Sequence, residues 1–218
     1  MRQHPVPKHF TTGGSKMATQ IISNTKSYGV GFNSVGKHKI SINSRKSPAY
    51  STWHSMLQRC YEPEYCDRQP AYIGCTVAPE WHDFQVFAEW FYARYKKGLA
   101  LDKDLLVEGN KIYSPNTCVL VSTALNNLFY GCDRPYVGIC RRESGSYSAE
   151  LGANGLRNKL GTFKTRSQAL NVYKYAKASE IVRQALLPDT PKILFNSLTS
   201  RAASLLGIDI DHINEAVK

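Results

Sequence analysis

The spacing of apolar residues divides the chain into stretches with different periods. Over "AYSTWHSMLQRCYEP", Trp53, Met56, Leu57 and Cys60 recur at helical intervals, which predicts one amphipathic helix. Over "PEWHDFQVFAEWFYARYKK", Trp81, Phe84, Phe87 and Phe91 share a face, Glu80 and Asp83 suit a first turn, and Gly98 is the expected stop. Shorter runs read as strands: "YGVGF" and "HKISINS" before Ser47-Pro48, a brief extended piece in "YIGCTVAPEW", and strand, loop, strand and helix from "LALDKDLL" to "ALNNLF". Further on, "PYVGICRR", "GSYSAELG" and "LRNKLGTF" are three strand-like runs joined by glycine-bearing turns. They lead into a helix capped by Thr165, with Ala169, Val172, Tyr173, Ala176 and Ile181 as its apolar stripe. The tail holds one more amphipathic stretch, "LFNSLTSRAASLLGI", which packs either on the body or on a second copy as a homodimer contact.

These patterns predict an α+β protein in four parts: a basic arm with short strands over 1–48, a middle domain over 49–130, a C-terminal domain over 134–190, and a helical tail over 191–218. The first 20 residues are polar, with Pro5, Pro7, Gly13 and Gly14, and read as a flexible arm. A hydrophobic content of 42% is enough to build cores. No apolar run approaches the roughly 18 residues of a membrane span, and no secretory signal is expected at the N-terminus. Scattered cysteines with no C-x-x-C pair suit reduced thiols in a cytoplasmic protein; a zinc site from Cys60, Cys66 and Cys75 is the alternative.

Charge sharpens the picture. The net charge is +11, and its distribution is uneven: from Met1 to Tyr61 there are nine basic residues and no acid. Arg2, Lys8, Lys16, Lys26, Lys37, Lys39, Arg45, Lys46 and Arg59 form this set, and Glu62 is the first acid. Such asymmetry suits a polyanion, because each phosphate contact releases counterions. A membrane partner is disfavoured, since the cations are interleaved with Ser, Asn and Gly and not with an apolar helical face.

In the C-terminal part, "YVGICRR", "GSYSAEL", "LGTFKT" and the helical spacing of Ala169, Tyr173 and Ala176 resemble the ethylene-response-factor-type (Apetala) DNA-binding domain over Tyr136 to Glu180. The resemblance implies a three-stranded antiparallel sheet on one helix, with the sheet in the major groove of double-stranded DNA. Arg142, Glu150 and Arg157 match contact positions of that family, while Tyr147 and Lys159 stand where it usually has Trp. Val137 and Cys140 replace two of its arginines, so its sequence preference does not carry over. Arg141 adds charge beside Arg142.

The middle part resembles phage proteins of the HNH homing-endonuclease group, with a ββα-type core implied. The matching pieces are "W-x-x-M-L-x-R-C-Y" from Trp53, "Y-x-G-C-T-V-x-x-E-W-x-x-F-x-x-F" from Tyr72, "LDKD", "GNKIYSP-x-T-C" and a terminal "NN". An active HNH site needs a histidine base and ligands that hold Mg²⁺ or Mn²⁺ on the scissile phosphate. Asp102 matches the metal carboxylate, but Lys103 stands at the histidine position and Thr117 at that of a ligand asparagine. No catalytic set is therefore intact, and no metal is expected unless Asp102 still binds one. His54, His82, Asp104, Asn110, Asn126 and Asn127 are the candidate stand-ins. Lys103 and Lys111 suit phosphate contact better than its cleavage.

The sequence thus points to a sequence-specific double-stranded DNA-binding protein derived from a homing endonuclease, acting as a transcriptional repressor without cofactor. Lys37, Lys39, Arg45 and Lys46 would track phosphates, and Arg141, Arg142, Tyr147, Glu150, Arg157 and Lys159 would face the groove. The alternatives are an active metal-dependent nicking or homing endonuclease with a variant site, and a structural protein that binds no nucleic acid.

Overall fold

The computed structural model describes residues 26–129, 138–153 and 155–217, so the expected arm with Arg2, Lys8 and Lys16 lies outside the described residues, as do Cys132, Tyr136 and Val137. The fold is mixed α+β. It begins with a small antiparallel hairpin, β1 (Ser41–Ile42) and β2 (Arg45–Lys46). Asn43 and Ser44 turn it with φ of 49° and 61°, the two positive angles that a tight two-residue hairpin loop requires. Ser47 then caps α1 (Pro48–Tyr61), its Oγ accepting from the N–H of Tyr50, with Pro48 at the first helical position where it sacrifices no hydrogen bond.

The "YGVGF" segment is a turn and not the expected strand. Tyr28 and Gly29 have positive φ, and the N–H groups of Ser27 and Gly31 bond back across it. Gly31 lies so close to α1 that a Cβ there would stand 2.4 Å from Cδ1 of Leu57. The two glycines serve a turn and a close approach, not a pleat.

The second predicted helix starts later than its pattern suggests. Pro79–His82 is a single 3₁₀ turn; Asp83 then caps α3 (Phe84–Tyr92) by accepting from the N–H of Gln85 at 3.0 Å. Trp81, Phe84, Phe87 and Phe91 are all buried, as the spacing predicted. Gly98 sits in a turn beyond the helix end. A short helix, α2 (Pro63–Arg68), was not foreseen because it buries nothing and has no apolar face to read.

Strand β3 (Thr76–Val77) pairs in parallel with β5 (Ile112–Tyr113). Strand β4 (Leu99–Asp102) pairs antiparallel with β6 (Val119–Ser122), and α4 (Thr123–Phe129) follows at once. This hairpin is a wall between two cores. Leu101 and Leu120, opposite each other, belong to an aromatic core with Trp53, Trp81, Phe84 and Phe87. Val119 and Val121 point the other way, as strand alternation demands, into a second core with Leu125, Leu128, Leu151, Ile181 and Leu198. That second core runs across the 130–134 boundary expected from sequence.

The C-terminal part is a three-stranded antiparallel sheet, β7 (Ile139–Arg141), β8 (Tyr147–Ala153) and β9 (Leu156–Phe163), packed against α5 (Arg166–Ala185). Thr165 and Gln168 form a capping box at the start of α5. Ala169 and Ile181 are buried; Val172, expected in the stripe, is 37% exposed. Gly138, φ 98°, lets β7 pass under the helix: a Cβ there would meet the ring of Tyr173 and the carbonyl of Glu150. The tail forms α6 (Phe195–Leu206) and α7 (Ile210–Ala216) and packs on the body, with Leu194, Leu198, Ala202 and Ala203 buried. Its apolar face is thus covered within the chain. No helix is long and apolar enough to cross a membrane among the described residues.

Candidate nucleic-acid interface

The loop leaving β4 is held by its own side chains. Asp102 Oδ1 accepts from the N–H groups of Asp104 at 2.9 Å and Leu105 at 2.7 Å. Its carboxyl is nevertheless pushed up to about 6, first by burial and then by the charge of Asp104. Asn110 ties the far side, donating to the carbonyls of Lys103 and Ile112 and accepting from the N–H of Ile112. Thr117 spends its hydroxyl on Ser114 and on the carbonyl of Ile112, both at 2.8 Å. Asn110 and Thr117 both hold the loop through these bonds.

Lys103, expected to reach a phosphate, is 7% exposed. Its ammonium donates to Asp104 Oδ2 and to the carbonyl of Asn110, both at 2.9 Å. Burial opposes its charge, but the hydrogen bond and charge of Asp104, with Cys75 and Asp102 behind it, outweigh burial and raise its pKa. The group is a fixed cation that braces the loop. Lys111 differs: it is exposed and makes one bond, to the carbonyl of Ala71.

Sequence reasoning missed the brace from the tail. Ser197 donates to the carbonyl of Leu105, and Arg201 donates to the carbonyl of Asp104 while its guanidinium lies 5.0 Å from the ring centroid of Phe129. The one signal available was a lone arginine in an otherwise small and apolar helical stretch. The histidines are likewise occupied: His82 Nε2 lies 3.1 Å from the carbonyl of Val77, and His54 Nδ1 lies 3.5 Å from the hydroxyl of Tyr28. Burial, then the charge of Lys46, lowers the pKa of His54. Asn126 and Asn127 lie on α4, apart from these bonds. Among the described residues no group of three or more His, Cys, Asp or Glu could hold a metal ion, Cys60, Cys66 and Cys75 included.

The second candidate surface is the face of the C-terminal sheet away from α5. Register assigns it. Ala149, Leu151 and Ala153 of β8 are buried towards α5, so Glu150 and Gly152 carry the open face; Ser148 has the same phase but is itself buried, its Oγ donating to the carbonyl of Cys140 at 3.4 Å. Across the ladder, Lys159 lies opposite Glu150 and Arg157 opposite Gly152. Arg142, one residue past β7, continues that ladder by donating its N–H to the carbonyl of Ser146, which puts it on the open side too. Arg142, Arg157 and Lys159 are exposed and, among the described residues, have no hydrogen-bond or ion-pair partner for their side chains.

The same register sets two other candidates on the opposite side. Arg141 pairs with Tyr147, and Tyr147 with Phe163, on the side shared with Ala149. Arg141 and Tyr147 therefore sit on the α5 side of the sheet, with Arg141 exposed at its end. A one-residue phase decides this, and the sequence alone does not fix it.

The third surface is the β1–β2 hairpin, where every residue from Lys39 to Lys46 is exposed. Lys39, Arg45 and Lys46 lie here; Lys46 Nζ stands 5.8 Å from the ring centroid of Tyr50. Lys37 is neutralised by an exposed ion pair of 2.8 Å with Glu89, which also meets His38 Nε2 at 2.9 Å. The hydrogen bonds from Lys37 and then His38 lower the pKa of Glu89.

Comparison with protein-family models, with curated proteins and with solved structures found no match for this chain.

Proposed function

We propose that the protein is a sequence-specific binder of double-stranded DNA that holds its target without cutting it, and acts as a transcriptional repressor by occupying an operator. The observation that carries this reading is the open sheet face. A sheet with a helix on one side and unpaired Arg142, Arg157 and Lys159 on the other has the shape and charge to enter a major groove about 12 Å wide. Arg157 and Lys159 are two residues apart on one strand, a spacing of roughly 7 Å, which equals about two base-pair steps. Glu150, opposite Lys159 on the neighbouring strand, can accept from the exocyclic amine of cytosine.

Descent from an HNH homing endonuclease is supported by the order of β4, β6 and α4, an antiparallel pair leading into a helix, with Asp102 at the end of its first strand. Loss of cutting is supported by the local chemistry. The residue at the position of the base is an ammonium ion with two internal bonds, and Thr117 is spent within its own loop.

Selection from a random-sequence duplex library tests the reading. The protein should enrich one motif, and Arg157→Ala should weaken binding to that motif by about 1–3 kcal/mol. Absence of any enriched motif would overturn it.

A further inference from the structure

The β1–β2 hairpin is built as a reading head, and from it we infer a second base contact: Arg45 and Ile42 enter the major groove of the same duplex. This inference rests on the DNA-binding reading above. The hairpin pairs Ile42 with Arg45 and Ser41 with Lys46, so each pair shares a face. Lys46 lies over the ring of Tyr50 at the start of α1, which turns the Ser41–Lys46 face towards the body. The Ile42–Arg45 face therefore points outward.

That outward face sets an isoleucine, 50% exposed, beside a free guanidinium. Among the described residues nothing covers either side chain. The pairing suits two neighbouring base pairs: a guanidinium bonds the O6 and N7 acceptors of guanine, and an apolar side chain covers the methyl group of thymine. Two strands make a ribbon that a major groove admits. The occupant follows from charge. Lys39, Arg45 and Lys46 are exposed on the hairpin and, among the described residues, no acid pairs with them, so the finger attracts a polyanion. The tight turn through Asn43 and Ser44 keeps the tip narrow, with no side chain larger than Asn between the two strands.

Arg45→Lys and Ile42→Ala test this, using the duplex that the wild-type protein recovers from a random-sequence library. Arg45→Lys keeps the charge and loses the forked donor. Both residues are exposed, so thermal midpoints should match the wild type. The expected result is an affinity for the recovered duplex about tenfold lower in each variant, with binding to an unrelated duplex and its salt dependence unchanged for Arg45→Lys. Methylating guanine N7 in the recovered duplex should weaken the wild type at one position more than it weakens Arg45→Lys. Unchanged discrimination and an unchanged methylation pattern in Arg45→Lys would overturn the inference while leaving the DNA-binding reading intact. A wild-type protein that recovers no duplex would overturn both.

Discussion

Replacing Lys103 with alanine separates the two roles that a lysine in this loop can have. Its ammonium makes two bonds, to Asp104 Oδ2 and to the carbonyl of Asn110. A hydrogen bond with one charged partner contributes about 1.5–3 kcal/mol, and the Asn110 bond, made by a side chain that is 8% exposed, belongs at the lower half of that range. The Asp104 side chain is 44% exposed, so water screens the ion pair, which is worth at most about 1 kcal/mol. Lys103→Ala should then lower stability by about 2–3 kcal/mol, a fall of roughly 5–10 °C in melting temperature for a chain of this length. Circular-dichroism melts measure that fall. DNA affinity, measured well below the midpoint, should stay within about twofold of wild type, because the ammonium is not at the surface. An unchanged melting temperature with a tenfold loss of affinity would refute the reasoning and return Lys103 to the set of phosphate contacts.

Asp102 gives a pH test. Its folded-state pKa of about 6 lies above the unfolded carboxylate value near 4. Its contribution is therefore whole below about 4 and is lost as the pH rises through about 6, on the order of 2–3 kcal/mol. Asp102→Asn keeps an oxygen for the two backbone N–H groups and should flatten that part of the stability–pH curve in urea titrations; an unchanged slope would contradict it. Gly152 has no positive φ, and a Cβ there would meet nothing within 4 Å. Gly152→Val should therefore leave stability equal or slightly higher yet lower DNA affinity about tenfold by raising a side chain on the open face. Equal affinity would show that this face does not dock. Cys140 is exposed opposite Ser148 on that face, whereas burial pushes the thiol of Cys118 up to about 12. Maleimide should label Cys140 before Cys118 in peptide maps, and bound duplex should protect it.

The helices were legible where an apolar stripe met a cap, as at Ser47 with Trp53 and Met56, and at Thr165 with Ala169 and Ile181. Each of those signals acts over one or two turns. α2 was invisible because it buries no face. The "YGVGF" turn was misread because glycine serves a strand and a turn alike, and only packing against Leu57 and Trp53 decides. Of the candidate site, Arg142, Glu150, Arg157 and Lys159 came from the family resemblance, and the register sets them on one face of the sheet. Arg141 and Tyr147 fall on the other, since their phase depends on which residue of β8 each strand meets. The fate of Lys37 depends on Glu89, far along the chain, whereas Lys103 bonds its near neighbours Asp104 and Asn110 in a loop that Arg201 and Ser197 also hold from the tail.

The central claim is that the protein holds duplex DNA and leaves it whole. The direct measurement incubates the full chain and its Asp102→Ala variant with the library-recovered duplex and Mg²⁺ or Mn²⁺, then runs native and strand-separating gels side by side. The account predicts a retarded duplex with both strands intact for both proteins. A nick or break made by the wild type and absent with Asp102→Ala would contradict it.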